Sequence, residues 1–427
     1  MTTPSAAAAV ILYRESPNLE VFWVRRMLQM SYQGGFYAFP GGRLEPHESP
    51  RDAAVRELHE ETGVQIDPDE LRDAGRWVTP PITRQRFDTQ FFLARCPPDQ
   101  TARVLSSEHD VGEWIRPQDA IRKWREGSIL IAPPIKHALN SLSEGLSGVE
   151  ARLKSAPDAR SAGGTEIEMR RGVAFVPLRT PTLPPATHTN CYLIGDDDVV
   201  VIDPASPYEE EQALLDRVLE KRRARIREIW LTHLHRDHVG GANHLRQRWG
   251  AKIAAHPITA RDLAGQVHVD RTFAPNETLD LEGQPGWRLR ILHTPGHARG
   301  HVCIFEELHG SLITGDLIAG FGTIIIDPPE GRMADYLDSL RRVLALEPTA
   351  LFPAHGPVIG DAAGRIREYI KHRLEREENI LMAWRRGVRD AAAIVAAVYT
   401  DVDPAMHGFA ERSVTAHLEK LRDEGRL

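Results

Sequence analysis

The chain is poor in cysteine. It has three, Cys96, Cys191 and Cys303, scattered and outside any CxxC spacing. An odd, dispersed set supplies neither a disulfide framework nor a thiolate metal knuckle, and it suits a reducing compartment. Long apolar runs are missing too. No uninterrupted stretch approaches the roughly 18 residues needed to span a bilayer, so no membrane is expected as a partner. The N-terminal "AAAAVILY" lacks a basic leader and is closed at once by Arg14 and Glu15, which does not fit a secretory signal. A cytoplasmic protein is the expectation. Nor is there a positive surplus: the formal net charge is −7, which does not favour nucleic-acid binding by the chain as a whole.

What is present is a soluble globular composition, 41% hydrophobic and 26% charged over 427 residues. At about 150 residues per domain, that length predicts two or three domains. Residues 7–13 and 20–24 read as paired strands around the turn "ESPN". The Gly-rich "QGGFYAFPGG" leads to a helix with Ser49 as N-cap, Pro50 in its first turn and Gly63 just past its end. The polar, Gly/Ala/Ser-rich stretch around 146–172 is the best linker candidate. Beyond it helix-like and strand-like runs alternate to about residue 360, and helical patterns fill 361–427. The expectation is a domain over 1–145, a linker over 146–172, a layered α/β domain over 173–360 and a small helical module over 361–427, three helices with a barely visible terminal hairpin.

Two constellations carry chemistry. In the first, Glu57, Glu60 and Glu61 stand at i, i+3 and i+4 of a helix and so share a face. Like charges at that spacing repel unless a cation sits between them, and hard oxygen ligands suit Mg²⁺ or Mn²⁺. A bare ExxEE is more often a solvated acidic face. Here the whole pattern G-x5-E-x7-R-E-U-x-E-E-x-G-U, from Gly42 to Val64, is met. It resembles the Nudix box, and the resemblance implies an α/β/α sandwich that hydrolyses nucleoside diphosphates linked to a further moiety. By that analogy Glu57, Glu60 and Glu61 hold the cations and one of them activates water. Glu48 and Arg56 support them, and Gly41 and Gly42 let the backbone approach metal and phosphates. "GFYAFPGG" is similar to the segment upstream of the box in coenzyme A diphosphatases, so a coenzyme A-type substrate is one candidate.

In the second, "THLHRDHVGG" crowds His233, His235, Asp237 and His238 into one turn after a strand-like run. Imidazole and carboxylate at this density favour Zn²⁺. Four ligands in one turn cannot complete two catalytic spheres, and His297, Asp316 and His355 follow in order; His293 and His301 flank His297 as alternatives. The ordered set resembles the metallo-β-lactamase superfamily, on the side of glyoxalase II, which implies an αββα sandwich and two Zn²⁺. Carried over, His233, His235 and His297 bind one ion, Asp237, His238 and His355 the other, and Asp316 bridges, with Asp237 counted among the catalytic residues. The two ions would lower the pKa of a shared water toward neutrality and make hydroxide the nucleophile. Asp203, ending "VVVID", is the expected carboxylate behind a histidine. His59, His244, His256, His268 and Cys303 are expected to pack or face solvent.

The C-terminal segment is similar to the winged-helix appendage of lactamase-fold proteins that include single-strand endoribonucleases and acyl thioesterases. Its acidic and basic residues are nearly balanced, which gives RNA binding no electrostatic support. Packing on the lactamase body or dimerisation are as compatible. The reading is a two-site hydrolase acting on a nucleoside diphosphate or coenzyme A-type molecule at one site and on a thioester or single-stranded RNA at the other. The alternative is a regulatory protein that has lost chemistry and reads nucleic acid.

Overall fold

In a computed structural model, residues 3–15, 17–80, 83, 85–155, 166–223, 225–283 and 286–427 are described. The chain divides into two units, Met1–Pro177 and Leu178–Leu427.

In the first unit one sheet runs Arg72–Val78, Phe87–Arg95, Ser5–Glu15, Leu19–Arg26, Phe36–Ala38, Leu130–Ile131, with Gly41–Arg43 and His109–Ile115 as side branches. Successive side chains of a strand point to opposite faces. Ala8, Val10 and Leu12 therefore pack with Ala53, Ala54 and Leu58 of the helix Pro50–Thr62. Ala9, Ile11 and Tyr13 pack on the other face with Ala120, Ile121 and Leu139. A central strand apolar on both faces needs helices on both sides, and the α/β/α sandwich follows. The box helix begins and ends where expected: the Ser49 side chain accepts from the Asp52 N–H, and Gly63 closes it at φ +77°. Part of the expected linker is structured. The helix Val149–Lys154 buries Val149 and Leu153 in the same core, and Ile167–Arg170 is a strand. With two apolar anchors in six residues, that helix gives too short a pattern to stand out in the sequence. Residues 156–165 lie outside the described residues.

In the second unit the strands His188–Gly195, Asp198–Ile202, Arg225–Leu231, Ile253–Ala255 and Arg271–Thr272 are successive neighbours in one sheet. A second sheet runs Thr278–Leu281, Trp287–His293, Val302–Glu306, Ser311–Gly315, Ala350–Pro353. Hydrogen bonds from Tyr192 Oη and Asn190 Nδ2 to the Pro353 carbonyl join the two sheets. This is the lactamase αββα arrangement expected from the sequence. Asp198–Ile202 and Arg225–Leu231 are parallel, as are Ser311–Gly315 and Ala350–Pro353. Parallel neighbours end at the same edge, so Asp203 lies beside His233, and Asp316 beside His355.

The C-terminal module is three helices, Ala362–Arg385, Ala391–Val398 and His407–Asp423, with a core of Ile380, Leu381, Ile394, Val414 and Leu421. The terminal hairpin is absent among the described residues. The last helix runs to Asp423, leaving four residues, too few for a second strand. No helix among the described residues is long and apolar enough to cross a membrane.

Candidate metal centre

The segment Thr232–His238 follows the strand Arg225–Leu231. His233 lies in the bend that follows, His235 is extended at the start of the short helix Arg236–Val239, and Asp237 and His238 sit on that helix. His297 comes from the loop after Trp287–His293. There Gly296 takes φ +137°, with the backbone of Tyr336 filling the place of any Cβ. A side chain at 296 would push the His297 loop away from the centre.

All seven expected residues converge. His233 Nε2 and His297 Nε2 each approach His235 Nδ1 to 3.0 Å. Asp316 Oδ2 lies 3.5 Å from His297 Nε2, 3.6 Å from His238 Nε2 and 4.0 Å from His233 Nε2. Its other oxygen, Oδ1, lies 3.4 Å from His355 Nε2, which in turn is 3.5 Å from Asp237 Oδ2. Two groups result, His233/His235/His297/Asp316 and Asp237/His238/His355, with ligand atoms within 4.8 Å of one another in each. Asp316 touches both.

The far nitrogen of each imidazole decides which lone pair faces the centre. Nδ1 of His233 meets Thr232 Oγ1 at 2.9 Å, that of His238 meets Asp203 Oδ2 at 2.8 Å, that of His297 meets the Ile325 carbonyl at 2.8 Å, and that of His355 meets the His188 carbonyl at 3.0 Å. His235 is reversed, with Nε2 3.2 Å from Glu330 Oε1 and Nδ1 inward. Hydrogen-bond acceptors behind four rings, and the Glu330 carboxylate beside the fifth, favour protons on the outer nitrogens, so that in their neutral forms the imidazoles turn unshared pairs inward. Inside, His238 Nε2 and Asp316 Oδ1 are buried without a hydrogen-bond partner. Converging lone pairs and orphaned buried acceptors fit divalent cations and little else.

Charge follows the same geometry. Burial holds His297 at about 4, with His235 adding to the shift. Burial opposes ionisation of Asp316, yet the facing His355 and His238 hold its carboxyl well below the ordinary range. Asp203 stands behind a histidine, as expected. Besides His238, its carboxylate accepts from the Thr232 N–H at 2.8 Å and the Thr232 hydroxyl at 2.6 Å.

Of the residues flanking His297, His301 is fully buried, and its Nε2 accepts the Asp316 N–H at 3.0 Å. That bond occupies the nitrogen a metal would need, so His301 holds the Asp316 backbone instead. His293 stacks on His256 and reaches the Arg299 carbonyl. His59 and His268 are exposed, His244 pairs with Asp216, and Cys303 is buried. Sequence reasoning missed Glu330, the Ile325 and His188 carbonyls and the task of Thr232. Only Thr232 left a signal, as the residue directly before the histidine pair.

In the first unit the box helix brings Glu57 and Glu61 to the first two residues of the strand Gly41–Arg43. The Gly41 N–H donates to Glu61 Oε2 at 3.0 Å, and a Cβ on Gly42 would occupy the place of the Glu57 carboxylate. Glu60 turns outward to solvent, 3.1 Å from Arg56 Nη1. Arg56 also binds Glu48 through two bonds, at 2.9 and 3.0 Å, and Glu57 at 3.0 Å. Burial pushes Glu61 up to about 8, helped by repulsion from Glu57 and Glu108. His109, which the sequence did not suggest, lies behind it at 3.8 Å and is held at about 4 by burial. The crowded, desolvated carboxylates of Glu57 and Glu61 fit a hard cation. Among the described residues the three glutamates do not draw together into a tight ligand group as the seven residues above do.

Comparison with known proteins finds both domain types. The metallo-beta-lactamase superfamily model matches residues 184–355, the NUDIX domain model residues 3–132, and the beta-lactamase associated winged helix domain model residues 391–427. A beta-lactamase-like protein 2 homolog of Drosophila melanogaster is 32% identical over 255 residues, 56% of this chain and 84% of the relative. An atrochrysone carboxyl ACP thioesterase of Paecilomyces divaricatus is 29% identical over 223 residues, 52% of this chain and 67% of the relative. Among solved structures, a metallo-beta-lactamase family protein of Thermus thermophilus superimposes with TM-score 0.50 and 25% identity over 60% of this chain and 94% of its own. The chain thus belongs to the metallo-β-lactamase superfamily, among the relatives of β-lactamase-like protein 2, and is a hydrolase-type protein with a Nudix domain in front and a β-lactamase-associated winged-helix domain behind.

Proposed function

We propose that the chain is a two-site metallohydrolase whose second unit cleaves a thioester and whose Nudix domain cleaves a nucleoside diphosphate-linked substrate, with coenzyme A-type molecules as candidates for both. One observation supports the first half above all: two ligand groups share Asp316, and every inward imidazole is backed by an acceptor. In this reading His233, His235 and His297 hold one Zn²⁺, Asp237, His238 and His355 the other, and Asp316 both. When bound, the pair of ions supplies water activated near neutral pH and a Lewis acid for the attacked carbonyl. The protein's part is rigidity. Asp203 and Thr232 fix His238 and His233, and His301 fixes the backbone of Asp316. Preorganised groups need no rearrangement as charge develops. The thioesterase among the relatives favours a thioester over RNA.

At the Nudix site Glu57 and Glu61 would carry Mg²⁺ or Mn²⁺ beside the Gly41–Gly42 backbone. Arg56 locks Glu48 and Glu57 in place, and Glu60 joins from the outer edge. The test is metal analysis with parallel assays on the full chain. About two transition ions per chain and thiol release from acyl-coenzyme A, both lost in Asp237→Ala, support the reading. Cleavage of single-stranded RNA without thioester hydrolysis would move the second site to phosphodiesters. A metal-free, nucleic-acid-retained protein would end the hydrolytic reading.

A further inference from the structure

The loop 319–332 joins the end of the Asp316 strand to the helix Met333–Leu344 and has no helix or strand of its own. Such a segment is expected to be mobile unless something satisfies its backbone. Yet it supplies the backing of two metal-site histidines, the Ile325 carbonyl behind His297 and Glu330 behind His235. Something must hold it still.

What holds it is one stripe of the first helix of the C-terminal module. Arg365, Tyr369 and Arg373 stand at i, i+4 and i+8, so they line one face of Ala362–Arg385. Arg365 Nη2 donates to the Ala319 carbonyl at 3.3 Å and the Gly322 carbonyl at 3.2 Å. Tyr369 Oη accepts the Ala319 N–H at 3.0 Å and donates to the Gly322 carbonyl at 2.9 Å. Arg373, itself 3% exposed, donates to the Ile324 carbonyl, one peptide from the carbonyl that holds His297. Ile324 and Ile326 pack with Tyr336, Ile366 and Tyr369. From the last helix, Arg412 Nη1 reaches Asp327 Oδ2 at 2.6 Å.

On the proposed dinuclear reading, we infer that Arg373 and Tyr369 are positioning residues for the His233/His235/His297/Asp316 ion, and that the helical module is a structural part of the hydrolytic site. The imidazoles of His238 and His355 are backed from outside this loop, by Asp203 and the His188 carbonyl. The loop meets that half of the centre through the Gly320 N–H, which donates to the His355 carbonyl at 2.7 Å, four residues before the Ile324 carbonyl that Arg373 holds. Breaking the stripe at Arg373 should therefore weaken the His233/His235/His297/Asp316 ion more than the other, which general destabilisation would not do.

The experiment uses full-length protein loaded with Co²⁺, whose visible spectrum reports each site's ligand field, together with equilibrium metal titration. Wild type must take up two ions; fewer would sink the dinuclear reading before this one is reached. Arg373→Met, which keeps the buried stem but loses the donors, and Tyr369→Phe should weaken one ion by roughly tenfold, the lower end of the cost of removing a group directly behind a ligand, because they act on the loop that carries such groups. Arg373→Lys should restore part of the loss. In Arg373→Met the second ion's affinity should fall clearly less than the first's. Two ions bound as in wild type by Arg373→Met would overturn the inference. So would equal weakening of both ions together with a lowered melting temperature of the metal-free protein.

Discussion

At the scale of single residues, the metal centre depends on groups that never face the ions. Asp203 accepts three hydrogen bonds, two from Thr232 and one from His238, and it sits at φ +50°, a strained backbone retained where a site needs it. Asp203→Ala removes the acceptor that fixes the His238 tautomer. The affinity of the Asp237/His238/His355 ion should fall roughly 10–100-fold, while the other ion changes less. Competition titration against a chromophoric chelator measures this directly, and unchanged affinity would show that Asp203 only packs. Here sequence and structure differ instructively. The ligands repeat a dense local pattern and could be read. Glu330 and the Ile325 carbonyl arrive through a loop without periodicity and could not.

At the scale of elements, the helix Ala362–Arg385 does more than close a small helical module. One turn past its loop-holding stripe, Glu377 is buried among three cationic or imidazole partners: Lys420 Nζ at 2.8 Å, Arg426 Nη1 at 2.8 Å and His417 Nδ1 at 3.2 Å. Burial works against its charge, but His417 and Lys420 outweigh it and hold the carboxyl at about 2, below the ordinary 4.5. A depressed folded-state pKa means that the carboxylate form stabilises the fold. That contribution is complete above about 4.5 and is lost as pH falls toward 2. Acid titration of the metal-free protein followed by circular dichroism should show helix loss in this window. Glu377→Gln should start less stable at neutral pH and lose less on acidification. A Glu377→Gln curve parallel to wild type would remove the cluster from the account.

At the scale of the whole molecule, two hydrolase-type domains share one chain. The two clusters of candidate ligands lie in separate compact units, Met1–Pro177 and Leu178–Leu427. Substitutions in different units with no shared partners add independently. On the proposed reading, Glu61→Gln should abolish diphosphate hydrolysis and leave thioester hydrolysis untouched. Asp237→Ala should do the reverse, and the double variant should lose both with no further effect. Initial-rate assays of the four proteins on a diphosphate panel and on acyl-coenzyme A decide it. Loss of both activities from one change would mean that the units depend on each other to fold.

The class of each layer, and which histidines and aspartates the fold draws together, were legible in the sequence. Strand alternation around Ala8–Leu12, the Ser49 and Gly63 caps and the histidine-rich turn are local, and local backbone rules act over a few residues. The two domain types were separable as well, because their motifs differ in donor chemistry. Tertiary packing made the choices that spacing cannot encode. It gave the His301 nitrogen to the Asp316 amide while drawing His297 into the cluster, and it turned Glu60 out to solvent. It also placed residues 149–154 in the first core and set the helix Ala362–Arg385 behind the loop that carries Ile325 and Glu330. These choices join residues tens of positions apart, and their energy exists only once the chain has closed around them.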